Sequence, residues 1–339
     1  MTNIPAVPTC MFHAALKWSQ TQTPPDSALS AEFDGMLLQI KEMGFDTVVC
    51  PLPAIRSNAY PELIDRLDDT THVALTRLIA AAQRLTLSVV LDLDITRVAA
   101  NGGLASQWPH AYVPQALGGI IDPRLSAQDN ASAFLRFHND YCDDDLLSEW
   151  AQRLAAWGQI GVSGISLRNL KRVPERVLST LIARARAKHP ALTFYGDVAG
   201  TTPQHLAAFK HSALDGVYTS LPWWDAASPW LAEEHDRLSR VAPLTIATAC
   251  LDAPLLATNA WRAKLWTAAM TGGAFAVSGV TTLVPELRAT LTQIAAWRGQ
   301  ASGLDNNYRI LTGALPYTAL FRGDGFAFAD AQSSSAPGY

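Results

Sequence analysis

The chain has 339 residues, 49% of them hydrophobic, enough apolar matter for one large barrel or two modest domains. With 21 Gly and 20 Pro it lacks the bias of low-complexity or collagen-like chains, so a packed globular body is expected. A net charge of −4 without a long basic run excludes an electrostatic footprint for nucleic acid or an anionic membrane surface, and no apolar run reaches the ~20 residues that cross a bilayer.

Met1 to Cys10 carries neither a basic region nor an apolar signal core, so a cytoplasmic location is expected. Cys10, Cys50, Cys142 and Cys250 have no CxxC or Cys/His spacing; they predict buried thiols rather than a disulfide framework or a zinc site.

Along the chain, short β-branched runs alternate with longer amphipathic stretches. Thr9–Leu16 predicts a strand, Ser30–Met43 a helix, Thr47–Pro53 a strand, His72–Leu85 a helix and Ser88–Asp94 a third strand. A polar stretch follows, residues 95–141, long enough to be a functional excursion or lid, before a helix at Asp145–Gly158 whose start is marked by Asp143-Asp144-Asp145. The alternation resumes with strands at Gly164–Asn169, Leu192–Val198, Asp215–Leu221, Leu244–Cys250 and Ala274–Gly279. Helices are predicted at Pro174–Lys188, Pro203–His211, Pro229–Arg240, Asn259–Met270 and Pro285–Gly299.

Eight strand-plus-helix units with continuous apolar strands predict a closed (β/α)8 barrel, an α/β fold, over residues 1–300. The rival doubly wound sheet commonly carries G-x-G-x-x-G or G-x-x-x-x-G-K-[ST] phosphate loops, and neither occurs. Residues 301–339 predict a short β-hairpin, Tyr317–Phe321 and Phe326–Ala329 hinged at Gly323-Asp324-Gly325, and a disordered tail at 331–339.

Chemistry on such a barrel belongs to the C-terminal ends of its strands. Asp92 and Asp94 end the third strand, Arg168 and Asn169 the fourth, Asp197 the fifth, and Asp252 follows the seventh. Any one of these carboxylates could be a helix cap or a solvated charge. Several converging on one cleft are the equipment of glycoside chemistry, which needs a proton donor and a nucleophile or base on either side of the bond. Aromatic residues supply faces for sugar rings: Trp223 and Trp224 follow the sixth strand with Trp230 close behind, and Trp108, His110 and Tyr112 in the excursion could form the opposite wall. Asp92, Asp94 and Asp252 could hold a divalent cation, but a guanidinium at 168 competes for the same oxygens, so neither metal nor cofactor is expected.

At five places the sequence resembles glycoside hydrolase family 13, the α-amylase superfamily, and most closely its maltose-1-phosphate maltosyltransferase-like members. MGFDTVVCPLP, Met43 to Pro53, is similar to the family's second-strand segment, and VVLDLDITR, Val89 to Arg97, to its third-strand motif. GVSGISLRNLKRVP, Gly161 to Pro174, resembles a fourth-strand motif of the type GVDGFRxDNPHRVP, and FYGDV, Phe194 to Val198, stands at the acid-bearing fifth strand. WWDAASPWLAEEHDRLSRVAP, Trp223 to Pro243, with Asp252-Ala-Pro after it, resembles the run that leads into the family's His-Asp motif. The likeness covers about Met11 to Gly279 in barrel order.

The resemblance also exposes departures. Arg168 stands where the family has its nucleophilic Asp, and Ser166 where it has the Arg that orients that nucleophile. Asp197 replaces the acid Glu, Thr96-Arg97 the Asn-His after the third strand, and Leu251 the His before the final Asp; Asp92 and Asp252 match. Retaining cleavage passes through an oxocarbenium-like state faced by an anion, and a guanidinium there has the wrong sign. At ~4 Å and an effective dielectric of ~20 the mismatch is about 4 kcal/mol, or roughly a thousandfold in rate. Arg cannot escape it by deprotonation. Two functions follow from the resemblance: a catalytically degenerate barrel that binds α-glucan, maltooligosaccharide or a partner protein, or an active glucan hydrolase or transferase with Asp197 as acid and Asp92 or Asp252 as nucleophile or base. In the first, Arg168 neutralises the retired carboxylates.

Overall fold

The computed structural model describes residues 8–14, 26–52, 54–57, 59–60, 63–67, 69–114, 123–138, 140–224, 228, 230–251, 260–280, 283–301, 309–312, 317–322 and 325–330. Eight parallel strands close into a barrel: β1 (Cys10–His13), β2 (Thr47–Pro51), β3 (Ser88–Leu93), β4 (Gly164–Leu167), β5 (Thr193–Asp197), β6 (Gly216–Tyr218), β7 (Leu244–Cys250) and β8 (Ala274–Ser278). Neighbours in space follow chain order, and β1 pairs with both β2 and β8 to close the ring.

The helices that cover it are α1 (Asp26–Glu42), α2 (Asp69–Arg84), α3 (Asp144–Gln159), α4 (Glu175–Lys188), α5 (Pro203–Ala208), α6 (Trp230–Leu238), α7 (Ala260–Thr271) and α8 (Pro285–Gln300). Local chemistry sets their ends. The Asp143 carboxylate accepts from the Leu146 N–H at 2.9 Å to cap α3, with Asp144 and Asp145 favourably placed in its positive first turn. From there Leu147, Trp150, Ala151 and Leu154 recur at helical spacing and are all buried.

Strand parity divides the interior into two cores. Val48, Cys50, Val89 and Leu91 point outward to the helices, whereas Met11, Val49, Val90, Tyr195, Ile246, Ala274 and Ala276 fill the barrel. Continuing the inward parity toward the C-terminal ends replaces apolar residues with polar ones, and this change of layer makes the mouth. Of the four free cysteines, Cys10 and Cys50 are buried, while Cys142 and Cys250 are only half-buried.

Residues 95–141 are not merely a lid. Arg97–Ala99, Tyr112–Pro114 and Ser132–Leu135 join Ile55–Arg56 and Ile64–Arg66, from the segment after β2, in a separate five-stranded sheet. The expected C-terminal hairpin is present, Tyr317–Arg322 with Gly325–Asp330, and Arg309–Thr312 adds a third antiparallel strand. The tail at 331–339 lies outside the described residues. No described helix is long and apolar enough to cross a membrane.

One buried cation ties the closing strand to the helices. Arg298 of α8, 4% exposed, donates to the carbonyls of Ala269 and Gly273 at 2.5 Å and of Gly272 at 3.3 Å. These lie in the last turn of α7 and the turn into β8, where the helix end is negative and attracts a cation. Arg298→Met keeps the length and removes the donors; we expect a loss of about 3 kcal/mol in urea unfolding at unchanged slope. An unchanged midpoint would show that these carbonyls find other partners.

Candidate functional site

At the C-terminal end of β3, Asp92 sits in register with Ser166 of β4. The Ser166 hydroxyl donates to Asp92 Oδ1 at 2.9 Å, and Arg168 donates through Nε and Nη2 to Oδ2, each at 2.6 Å. The small Ser166 therefore leaves the space through which Arg168, two residues on, folds back onto Asp92. The carboxylate is 14% exposed and the guanidinium side chain 51%. The Asp92 charge holds the Arg168 guanidinium protonated still more firmly than usual, against the opposing effect of burial.

Asp197, at the end of β5, accepts from the Ala199 N–H at 3.1 Å. It faces a cavity of about 200 Å³ together with Arg168, Cys250, Pro222 and Trp223. The floor is formed by His13, Ser166, Tyr218, Thr248 and Ser278, the polar layer above the apolar barrel core. Burial lowers the His13 pKa to about 4; the Arg168 charge adds to the effect and the Asp92 charge partly offsets it. Its imidazole is therefore neutral at pH 7, and its ring centre lies 5.9 Å from that of Tyr218. Burial raises the Tyr218 phenol well above its ordinary range, so it too is uncharged. His13 Nε2 and Thr248 Oγ1 are shielded from solvent with no hydrogen-bond partner among the described residues.

The residues expected from sequence are only partly brought together. Arg168 and Asp197 line the cavity, Asp92 lies behind Arg168, and Trp223 stands at the rim, 69% exposed. Asp252 lies outside the described residues. Asn169, in the left-handed region at φ 57°, turns away and donates to Asp94 Oδ2 at 2.5 Å, while Asp94 Oδ1 accepts from the Thr96 amide and hydroxyl. Trp224 donates its indole N–H to the Ser228 carbonyl at 2.8 Å and packs on the outer core.

The opposite aromatic wall is corrected. Tyr112 is 1% exposed; its hydroxyl donates to the Ile95 carbonyl at 3.1 Å and accepts from Trp150 Nε1 at 3.2 Å, which consumes the polar end that a sugar would need. Trp108 is half-buried against the same core and does not line the cavity. Sequence reading passed over His13, Tyr218, Thr248, Cys250 and Ser278. Their signal was parity: each follows an inward-facing apolar or small residue by two or four positions in its strand. Among the described residues no group of three or more His, Cys, Asp or Glu is disposed to hold a metal ion.

Comparison with known proteins gives two concordant findings. Over 219 residues the chain is 30% identical to an α-1,4-glucan:maltose-1-phosphate maltosyltransferase of Burkholderia pseudomallei; the match takes in 61% of this chain and 19% of that protein, so the chain spans about a fifth of the relative's length. The fold is that of α-amylases. An α-amylase from Lactobacillus plantarum superposes with a TM-score of 0.70 at 13% identity, covering 96% of this chain and 88% of that one. For the α-amylase of Geobacillus thermoleovorans complexed with acarbose the values are 0.69, 14%, 94% and 85%. For an acarbose-soaked debranching enzyme of Nostoc punctiforme they are 0.68, 13%, 95% and 89%. No family model matches the chain. The chain is thus similar to α-amylases in fold and to a maltosyltransferase in sequence, the two directions in which the resemblance pointed.

The depressed His13 pKa makes a linkage prediction. The unfolded imidazole titrates near 6.5 and the folded one near 4, so the unfolded state binds the proton first. Stability from this site is complete above pH 6.5 and is lost as pH falls toward 4, at up to about 1.4 kcal/mol per pH unit. His13→Asn should flatten the stability profile between pH 6.5 and 4 relative to the parent. Parallel profiles for the two proteins would contradict a neutral buried imidazole.

Proposed function

We propose that the protein binds α-glucan or maltooligosaccharide at the barrel mouth and does not cleave it by the retaining route. The observation that carries this reading is the two-donor contact of Arg168 with Asp92 at 2.6 Å. In retaining glycosidases two carboxyl groups stand ~5 Å apart across the bond, one as acid and one as nucleophile. Here Asp197 faces the cavity, and the fourth-strand position that the amylase resemblance assigns to the nucleophile carries a fixed positive charge. Asp92 is no substitute, because both of its oxygens already accept hydrogen bonds and its negative charge is countered. Among the described residues Asp197 is the one carboxylate that lines the cavity free to donate or accept a proton, and with no partner anion among them the developing positive charge on the ring is unsupported.

Binding needs less. The exposed rim Trp223 offers an apolar face for a sugar ring, and Asp197 in the cavity lining offers an acceptor for sugar hydroxyls. The maltosyltransferase relative, by its name, acts on α-1,4-glucan, and the Geobacillus and Nostoc structures were obtained with acarbose; these support the choice of ligand class. Calorimetry with maltotetraose should give saturable binding that Trp223→Ala weakens about tenfold, while incubation with the same sugar yields no reducing ends above a heat-inactivated control. Sugar release that disappears in Asp197→Asn would establish the rearranged-carboxylate enzyme instead.

A further inference from the structure

We infer that Glu234 and Lys264 are positioning residues for Trp223: from two different helices they clamp the short turn that carries the rim indole. That a ligand meets this indole rests on the glucan-binding reading; the clamp itself does not. The first observation is how the indole is placed. Trp223 is 69% exposed, and among the described residues nothing hydrogen-bonds its ring, so its position follows the backbone of the turn. The turn begins where β6 ends. Thr219 N–H reaches the Ile246 carbonyl, and the Trp223 and Trp224 amides close back on the Ser220 and Leu221 carbonyls at 3.0 Å each. Thr219, Pro222 and Trp223 all line the cavity, so the turn sets one side of the mouth.

The second observation is a pair of charged side chains on helix faces that otherwise meet the core. In α6, Glu234 stands at helical spacing among the buried Leu231, His235 and Leu238; in α7, Lys264 stands among the buried Trp261, Leu265 and Ala268. Both are half-buried, and a charge so placed needs a compensating bond. Each takes it from the turn. Glu234 Oε2 accepts from the Ser220 N–H at 2.9 Å, and Lys264 Nζ donates to the Pro222 carbonyl at 3.0 Å. Burial raises the Glu234 pKa, while the contacts from Ser220 and the Arg237 charge pull it back. The turn is thus gripped at its first amide and at the carbonyl just before Trp223, by charge-assisted bonds roughly twice as strong as neutral ones. Pro222 adds a fixed φ of its own. A ring already ordered in the free protein adds no ordering cost on binding, so loosening the turn weakens a ligand without removing any contact to it.

The test labels the full chain with 5-fluorotryptophan at all ten tryptophans and assigns the Trp223 fluorine line as the one lost in Trp223→Phe. We expect Glu234→Ala and Lys264→Met each to shift or broaden that line. Glu234→Gln, which keeps an acceptor for the Ser220 amide, and Lys264→Arg, which keeps a donor for the Pro222 carbonyl, should leave it in place. Calorimetry with maltotetraose should find the first two variants about three- to tenfold weaker and the conservative pair within about twofold of the parent. In a Trp223→Ala background Glu234→Ala should weaken binding no further, because its effect runs through the indole. An unmoved Trp223 line in both Glu234→Ala and Lys264→Met overturns the clamp, as does an equal further loss of affinity in the Trp223→Ala background. Lys264→Met leaves α6 untouched, so it decides the matter where Glu234→Ala unfolds. A parent that binds no maltotetraose overturns the glucan-binding reading alone, and the fluorine line still decides the clamp.

Discussion

Asp92 lies where a barrel of this architecture concentrates its chemistry, mostly withdrawn from water, and a carboxylate in that position must be neutralised, hydrogen-bonded or protonated. Arg168 supplies the first two at once through the paired N–H contacts, with Ser166 completing the other oxygen. Ser166 of β4 and Arg168 just beyond its end cooperate here. A residue as small as Ser166 opens the room, and an Arg two positions later on the same inward face fills it with charge. A guanidinium held this way cannot lend itself to proton transfer, because Asp92 makes its loss of a proton harder still. The remaining properties of the mouth follow from that arrangement. The imidazole of His13 is kept neutral mainly by burial and partly by the nearby cation, and among the described residues Asp197 is left as the carboxylate that lines the cavity.

Beneath this layer the barrel is conventional in its physics. Met11, Val49, Val90, Tyr195 and Ile246 fill the interior, and complete burial of a side chain of this kind contributes about 1.5–3 kcal/mol. Substituting polar residues one layer higher costs the core little, since that layer already borders the cavity. The amylase-like shape can therefore persist while the chemistry at its rim changes. Fold similarity to the α-amylase structures extends along nearly the whole chain at only 13–14% identity.

Much of the scaffold was legible because parallel strands buried on both faces are written as uninterrupted apolar runs. Leu244–Cys250 and the helix over 285–300 needed almost no context. β6 is shorter than its sequence run: after Tyr218 the backbone makes one more bond, Thr219 N to the Ile246 carbonyl, and then Ser220–Trp223 tightens into a turn at Pro222. The five-stranded sheet was not legible, since Ile55–Arg56 and Ile64–Arg66 are too short to carry a period and exist only through pairing with distant partners. At the site, Arg168, Asp92 and Asp197 stood out by charge at strand ends. Tyr112 was misplaced because an aromatic residue in a polar stretch reads alike whether it faces a cleft or a core. His13, Tyr218 and Thr248 gain meaning only when inward parity is counted up each strand from the apolar core.

On the proposed function, the cation at position 168 precludes a covalent step. The most direct test is intact-protein mass spectrometry after prolonged incubation with a fluorinated maltosyl fluoride that traps glycosyl-enzyme intermediates. The mass of the protein should remain unchanged. A stoichiometric gain of one fluorinated maltosyl group, mapped to Asp92, Asp197 or Asp252, would contradict the account and restore a retaining mechanism to this barrel.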